Sequence, residues 1–241
     1  IKNIPAISFL KLRASYGFTG NNIIDPYSTT NILDIQTYYD FLGTTANGWR
    51  AGSLANNALG WEKTRESNFG LDFGFFNDRI SGTIDVYDRL SDDLLLQQDL
   101  PKESGFASIS SNIGSVSNKG VELGLTTRNI QKNKLSWQTS FTFTKNKNQI
   151  VSIYGQDEVD DVGNGWFIGE SINSSYNYEF DGIWQANERE EAASYNQLEG
   201  QAKVVDQNND GKITPNEDRI ILGSSDPKFT GSVFSTLRYG N

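Results

Sequence analysis

Residues 59–97 read LGWEKTRESNFGLDFGFFNDRISGTIDVYDRLSDDLLLQ, and the fold turns on this stretch. In its first arm Phe69, Leu71, Phe73 and Phe75 alternate with Asn68, Gly70, Asp72 and Gly74. Asn77-Asp78 offers a tight turn. On the return, Ile80, Ile84 and Val86 alternate with Ser81, Thr83, Asp85 and Tyr87. Successive side chains of a strand point to opposite faces, so period-two alternation on both sides of a turn reads as an antiparallel pair. One face of this hairpin needs an apolar medium; the other, which carries Asp72 and Asp85, needs water.

The design recurs along the chain. Leu10, Leu12, Ala14, Tyr16 and Phe18 alternate with Lys11, Arg13, Ser15 and Gly17. Val121, Leu123 and Leu125 face Glu122, Gly124 and Thr126. After a short polar turn at 131–134, Leu135, Trp137, Thr139, Phe141 and Phe143 alternate with Ser136, Gln138, Ser140 and Thr142. A last strand follows Phe229, with Phe234 breaking its pattern. Six strands are expected, near 8–19, 60–76, 79–97, 117–130, 134–147 and 228–240. The loops are unequal: 20–58, 98–116 and 148–227 are long, whereas the other two connections are tight turns. Residues 187–195, NEREEAASY, are the one expected helix, acidic in its first turn as the helix dipole favours.

Composition narrows the medium. The 241 residues carry 30 acidic and 21 basic side chains, a net charge of -9, and offer no basic stripe for nucleic acid. Mean hydropathy is -0.52, and no run approaches the ~20 apolar residues of a spanning helix. A membrane barrel leaves no such run, because its strands alternate lipid-facing and lumen-facing residues. Cysteine and histidine are absent, which excludes disulfides, thiolate metal sites and imidazole acid–base chemistry. Methionine is absent too, the chain opens in mid-pattern at Ile1, and Tyr239-Gly240-Asn241 follow directly on a strand-like run. This reads as an internal piece of a longer protein, with no signal peptide.

A soluble β-sandwich also alternates polar and apolar positions, so alternation alone does not decide. Strand length and loop asymmetry favour an all-β, antiparallel transmembrane β-barrel segment of about six strands with long extracellular loops. Lys11, Arg13, Asp72, Asp85 and Glu122 then face a wet lumen. Six strands cannot close a barrel, and open edges are not tolerated in lipid, so the segment should need further strands.

Several stretches also carry a family resemblance. They are LKLRASYG (10–17), LGWEKT (59–64), FGLDFGFFNDRISGTIDVY (69–87), NIGSVSNKGVEL (112–123), FDGIWQ (180–185), DQNNDGKI (206–213) and DRIILG (218–223). Together, and in this order, they resemble the SusC/RagA-type TonB-dependent outer-membrane transporters. The resemblance implies a 22-strand barrel with an N-terminal plug, located in the bacterial outer membrane. It implies import of glycans or peptides, with a SusD-like surface lipoprotein closing over the barrel and TonB supplying energy. Plug and TonB-contacting motifs are absent from these residues, and no catalytic role is implied.

One site is read from the residues themselves. DQNNDGKITPNE (206–217) matches the calcium-loop pattern D-x-[DN]-x-[DN]-G-x5-E. Asp206, Asn208 and Asp210 offer side-chain oxygens, Lys212 its carbonyl, Thr214 a direct or water-bridged ligand and Glu217 a bidentate carboxylate. Ca2+ there would stiffen an extracellular excursion; a solvated Asn/Asp turn is the plain alternative. Trp49, Tyr38, Tyr39, Trp166, Tyr176 and Tyr178 lie in expected loops, where aromatic faces stack on sugars, meet a partner or pack among themselves. Trp61 and Trp137, at strand ends, suit a membrane-interface girdle. Asp157, Glu158, Asp160 and Asp161 have no ligand spacing and read as a solvated charge run. Glu188, Glu190 and Glu191 single out no acid–base pair. The alternatives to a transporter segment are a secreted calcium-stabilised sandwich that binds glycans and, behind it, a β-rich glycoside hydrolase.

Overall fold

A computed structural model describes residues 6–22, 29–31 and 33–240, with only the backbone described at 34–37. The strands are β1 (Ile7–Asn21), β2 (Leu33–Phe41), β3 (Thr44–Ala51), β4 (Glu62–Phe75), β5 (Ile80–Asp99), β6 (Ser108–Lys132), β7 (Leu135–Ser152), β8 (Ser174–Tyr178), β9 (Phe180–Ile183), β10 (Ala202–Val204), β11 (Arg219–Ser224) and β12 (Thr230–Tyr239). The helix α1 (Arg189–Ser194) follows a single 3-10 turn. The six long strands make one antiparallel sheet in the order β1-β4-β5-β6-β7-β12, an open piece of barrel wall. No second sheet is stacked on it among the described residues; the other strands form three separate two-stranded pairs.

Register turns the alternation into rows. Leu12, Leu71, Ile84, Leu123 and Phe143 are successive cross-strand partners, as are Leu10, Phe73, Gly82, Leu125, Phe141 and Val233. Cross-strand partners share a face, so these rows form one apolar belt. It is open to the surroundings, with Leu12 81% and Val233 69% exposed. The belt runs obliquely. It covers Leu10 to Phe18 on β1 but Leu135 to Phe143 on β7, a drift of about six residues over four strand steps. With a rise of ~3.4 Å per residue and ~4.8 Å between strands, the drift is roughly 20 Å over 19 Å. A level lipid layer then requires strands tilted by roughly 45°, the habit of a membrane barrel.

The structure corrects several expectations. The loop placed at 98–116 is mostly strand: β5 runs to Asp99 and β6 starts at Ser108. Its serines suggested a loop, but here Ser111 pairs with Leu96, while Ser110 and Ser108 pair with Gln97 and Asp99 and hydrogen-bond to the Gln97 side chain. Gly114 lies directly under Leu94 and Leu96, where an added Cβ would meet Leu96 Cδ1 at 2.8 Å. Loop 20–58 contains the β2–β3 hairpin, and 148–227 contains β8 to β11; residues 23–28 and 32, with Ile1 and Asn241, lie outside the described residues. The turn expected at Asn77-Asp78 also includes Phe76, and all three are left-handed, with φ of 55°, 56° and 60°. The helix expected at 187–195 is shorter, and the capping box lies on the 3-10 turn before it, where Glu188 accepts the amide of Gln185.

Short turns join β4 to β5 and β6 to β7 at one end of the sheet, and the long connections leave from the other. At that second end the 153–170 stretch folds back over the inner face. Val116, Ile150 and Ile153 form a small buried core, with Leu94, Leu96, Trp166 and Ile168 packed against it. The Gly155 amide donates to the Ile113 carbonyl, and Ile150 and Gly169 are tied through Gly169 N–H to Ile150 O at 2.9 Å.

Candidate functional site: the wet face and the long excursion

The face opposite the belt is built from charge and glycine. Arg13, Gly70, Asp85 and Glu122 are successive cross-strand partners, with Lys11, Asp72, Thr83 and Gly124 in the next row. The guanidinium of Arg13 donates to Asp72 at 2.9–3.0 Å and to Asp85 at 3.0 Å. Asp85 is on β5, two strands away, and Arg13 reaches it by crossing Gly70. A Cβ on Gly70 would lie 2.6 Å from the guanidinium carbon and 2.7 Å from an Asp85 oxygen. Tyr87 repeats the device. Its ring crosses Gly120, where a Cβ would collide with the phenol, and its hydroxyl donates to Asn146 Oδ1 at 3.1 Å. Asn146 and Asn148 then both donate to Asn118. Arg89 pairs with Glu66 at 2.7 Å. Such a face suits water and polar solute and would be costly against lipid. Two side chains depart from it. Phe9 and Phe234 share one inner row, and Phe234 is 69% exposed.

The calcium-pattern loop is a hydrogen-bonded turn. Asp206 accepts the amides of Gly211 (2.8 Å) and Asp210 (3.3 Å), Asn208 accepts that of Asp210, and Asp210 accepts that of Lys212. Gly211, at φ 80°, makes the sharp turn that the sixth position of such loops requires. Amide contacts hold Asp206 below the usual carboxylate range, against the opposing effect of desolvation. Glu217 instead accepts the hydroxyl of Thr214 at 3.1 Å. The side-chain oxygens of the first half of the loop are thus occupied by the loop's own amides, and that of the twelfth position by Thr214. No three Asp or Glu side chains come together as a ready metal cage among the described residues. The residue that secures the loop is Asp218, fully buried, which accepts the amides of Gln207 (2.9 Å) and Thr214 (2.6 Å). Sequence reading stopped one residue short of it.

The six aromatic candidates are not one constellation. Tyr38, Tyr39 and Trp49 lie on the β2–β3 hairpin and are exposed. Trp166 packs on the Val116–Ile150–Ile153 core. Tyr176 on β8 packs at a tilt on Phe167, ring centres 4.8 Å apart, and carries the Arg219 guanidinium at 4.9 Å, and Tyr178 pairs with Arg219 across β8–β11. Trp184, buried and stacked on Tyr195 under the Lys203 ammonium at 4.3 Å, centres a mini-core that sequence reading missed. FDGIWQ was its visible signal. Half of the acidic run is also structural rather than merely solvated. Asp161 accepts Tyr154 Oη and two groups of Asn164, and Asp160 accepts the Ile168 amide. Burial and this bond to Asp161 push the Tyr154 phenol up to about 12.

An open antiparallel wall with an oblique apolar belt, an ion-paired inner face, short turns at one end and long excursions at the other is a segment of an outer-membrane β-barrel. Residues 5–239 match the family described as TonB dependent receptor-like, beta-barrel. The chain is 34% identical to TonB-dependent receptor P26 of Formosa agariphila, over all of this chain and 25% of the relative. It is 37% identical to TonB-dependent receptor SusC of Bacteroides thetaiotaomicron over 66% of this chain and 16% of SusC. Among solved structures, the RagAB peptide importer in its open-open state aligns with TM-score 0.79 and 28% identity, over 99% of this chain and 25% of that one. The chain belongs to the TonB-dependent receptor β-barrel family, a family of the outer membrane, and spans about a quarter of the length of P26 and of the RagAB chain. Those relatives are receptors and an importer rather than enzymes.

Proposed function

We propose that this chain forms part of the barrel wall of a TonB-dependent nutrient importer of the SusC/RagA type, carrying peptide or glycan with a SusD-like lipoprotein at its outer mouth. The observation that carries the reading is the division of one sheet into a lipid-ready belt and an inner face on which Arg13 and Tyr87 bridge strands across Gly70 and Gly120. The RagAB neighbours support peptide as cargo, and the likeness to SusC supports membership of the same transporter type. Tyr38, Tyr39 and Trp49 are exposed at the long-loop end and are the aromatic groups best placed to meet cargo or the lipoprotein. The test is uptake by cells producing the complete receptor, supplied with labelled oligopeptides or oligosaccharides, with and without TonB. TonB-dependent accumulation of one class supports the reading, and the absence of accumulation of either overturns it.

Calcium in the 206–217 loop is part of the same proposal. Its support is the pattern from Asp206 to Glu217, the turn at Gly211 and the convergence of Asp206 and Asn208 side-chain oxygens on one amide of that turn. Bound calcium would draw Glu217 from Thr214 and stiffen the excursion. Chelation by EGTA should then speed amide exchange at residues 206–217 and Ca2+ should reverse it; exchange indifferent to both would contradict a calcium role.

A further inference from the structure

The outer face changes character just above the belt on the long-loop side. Lys119 of β6 is the direct cross-strand partner of Lys147 of β7, and one pair below them Val121 faces Lys145. Lys119 is balanced by Asp88 at 2.8 Å. Lys145 and Lys147 are exposed and have no ion-pair partner among the described residues. Like charges placed directly opposite each other on one face destabilise a sheet; Asp88 offsets this at Lys119, and Lys145 and Lys147 are left without an anion among the described residues. Beneath the lysines lies an open groove of about 370 Å³ walled by Phe69, Val86 and Val121. The cations also follow the slope of the belt. They stand immediately above Phe143 on β7 and Val121 on β6, and Arg65 stands higher on β4, where the belt itself is higher.

From this geometry we propose that Lys119, Lys145 and Lys147 form a binding site for an anionic, phosphate-headed lipid of the surrounding membrane. The acyl chain lies along Phe69, Val86 and Val121, and the headgroup bridges Lys119 and Lys147. An apolar wall continuous with a cationic rim complements an amphiphile rather than free phosphate, and its position on the lipid-facing side complements a membrane lipid rather than cargo. The site rests on the barrel reading. A failure of that reading would show separately, as loss of lipid contact along Leu123 and Phe143 whatever the headgroup.

The test is native mass spectrometry of the complete receptor, purified with equal amounts of phosphatidylglycerol and phosphatidylcholine. Retention of phosphatidylglycerol should exceed that of phosphatidylcholine by about fivefold, the discrimination expected of one well-placed lysine–anion contact. The Lys119→Gln/Lys145→Gln/Lys147→Gln variant should lose the preference, the corresponding triple arginine variant should keep it, and so should Lys102→Gln, a loop control. If the triple glutamine variant fails to assemble, Lys147→Gln alone should lower the preference. Equal retention of both lipids by the unmodified receptor, or an undiminished preference in the glutamine variants, would overturn the site.

Discussion

At the scale of single residues, the inner face depends as much on missing side chains as on charged ones. Gly70 is the groove through which Arg13 reaches a carboxylate two strands away, so Gly70→Val should cost about 1–3 kcal/mol by overpacking. Measured by urea unfolding of the complete receptor, that cost should not add to the cost of Arg13→Ala, because both changes remove the same bridge. Additive losses would mean that Gly70 serves something else. Asp218 makes a second residue-scale case. It is buried and holds two loop amides, so Asp218→Ala should cost about 1–3 kcal/mol through unpaired amides, read as faster exchange confined to 206–218. A third case is pH. Asp226 lies outside the long strands and accepts Ser171 Oγ and the Asn173 amide, contacts that hold its carboxyl below the ordinary 3.8. A depressed folded pKa contributes stability that is complete above the ordinary value and fades as pH falls from there through the lowered one. Exchange protection at 171–174 should therefore persist on acidification to 3.8 and disappear below it; loss well above 3.8 would assign the protection elsewhere.

At the scale of elements, the two faces predict opposite responses to the same change. Ile84→Arg places a charge in the middle of the belt and should cost about 2–4 kcal/mol, whereas Thr83→Arg, one residue away on the inner face beside Asp72, should cost far less. Equal costs for the pair would contradict the assignment of faces. This part of the fold was legible in the sequence, because alternation is a local signal: Phe69 to Phe75 and Leu135 to Phe143 declare their faces without help. The stretch from 98 to 116 was not legible, since Ser108, Ser110 and Ser111 become strand only by pairing with Asp99, Gln97 and Leu96 of β5. Register was hidden as well, and with it both glycine-crossing bridges, which join residues 59 or more positions apart. In the loop site, the repeating Asp and Asn of 206–210 were visible from spacing, while Asp218 is set by burial. The aromatic residues of the loops could not be sorted into exposed and packed ones until Phe167, Arg219 and the Val116 core had positions.

At the scale of the whole molecule, the oblique belt is the feature that ties this wall to a membrane. A soluble sheet needs its apolar face covered, and among the described residues nothing covers the rows through Leu12, Leu71, Ile84, Leu123 and Phe143. Apolar area on this scale marks a surface meant for lipid or protein, and the tilt of roughly 45° implied by strand geometry suits the former. The cationic rim above the belt and the aromatic residues at its ends, Tyr16 and Trp61 on one side and Trp137 and Tyr239 on the other, bound the same layer. The most direct measurement is lipid accessibility along one strand pair of the complete receptor. Fluorescent labels placed singly at positions 83, 84, 123, 124, 142 and 143 would be challenged with a lipid-borne quencher and a water-soluble one. Labels at 84, 123 and 143 should be quenched from the lipid, and those at 83, 124 and 142 from water. Quenching from water at all six positions would contradict the barrel wall.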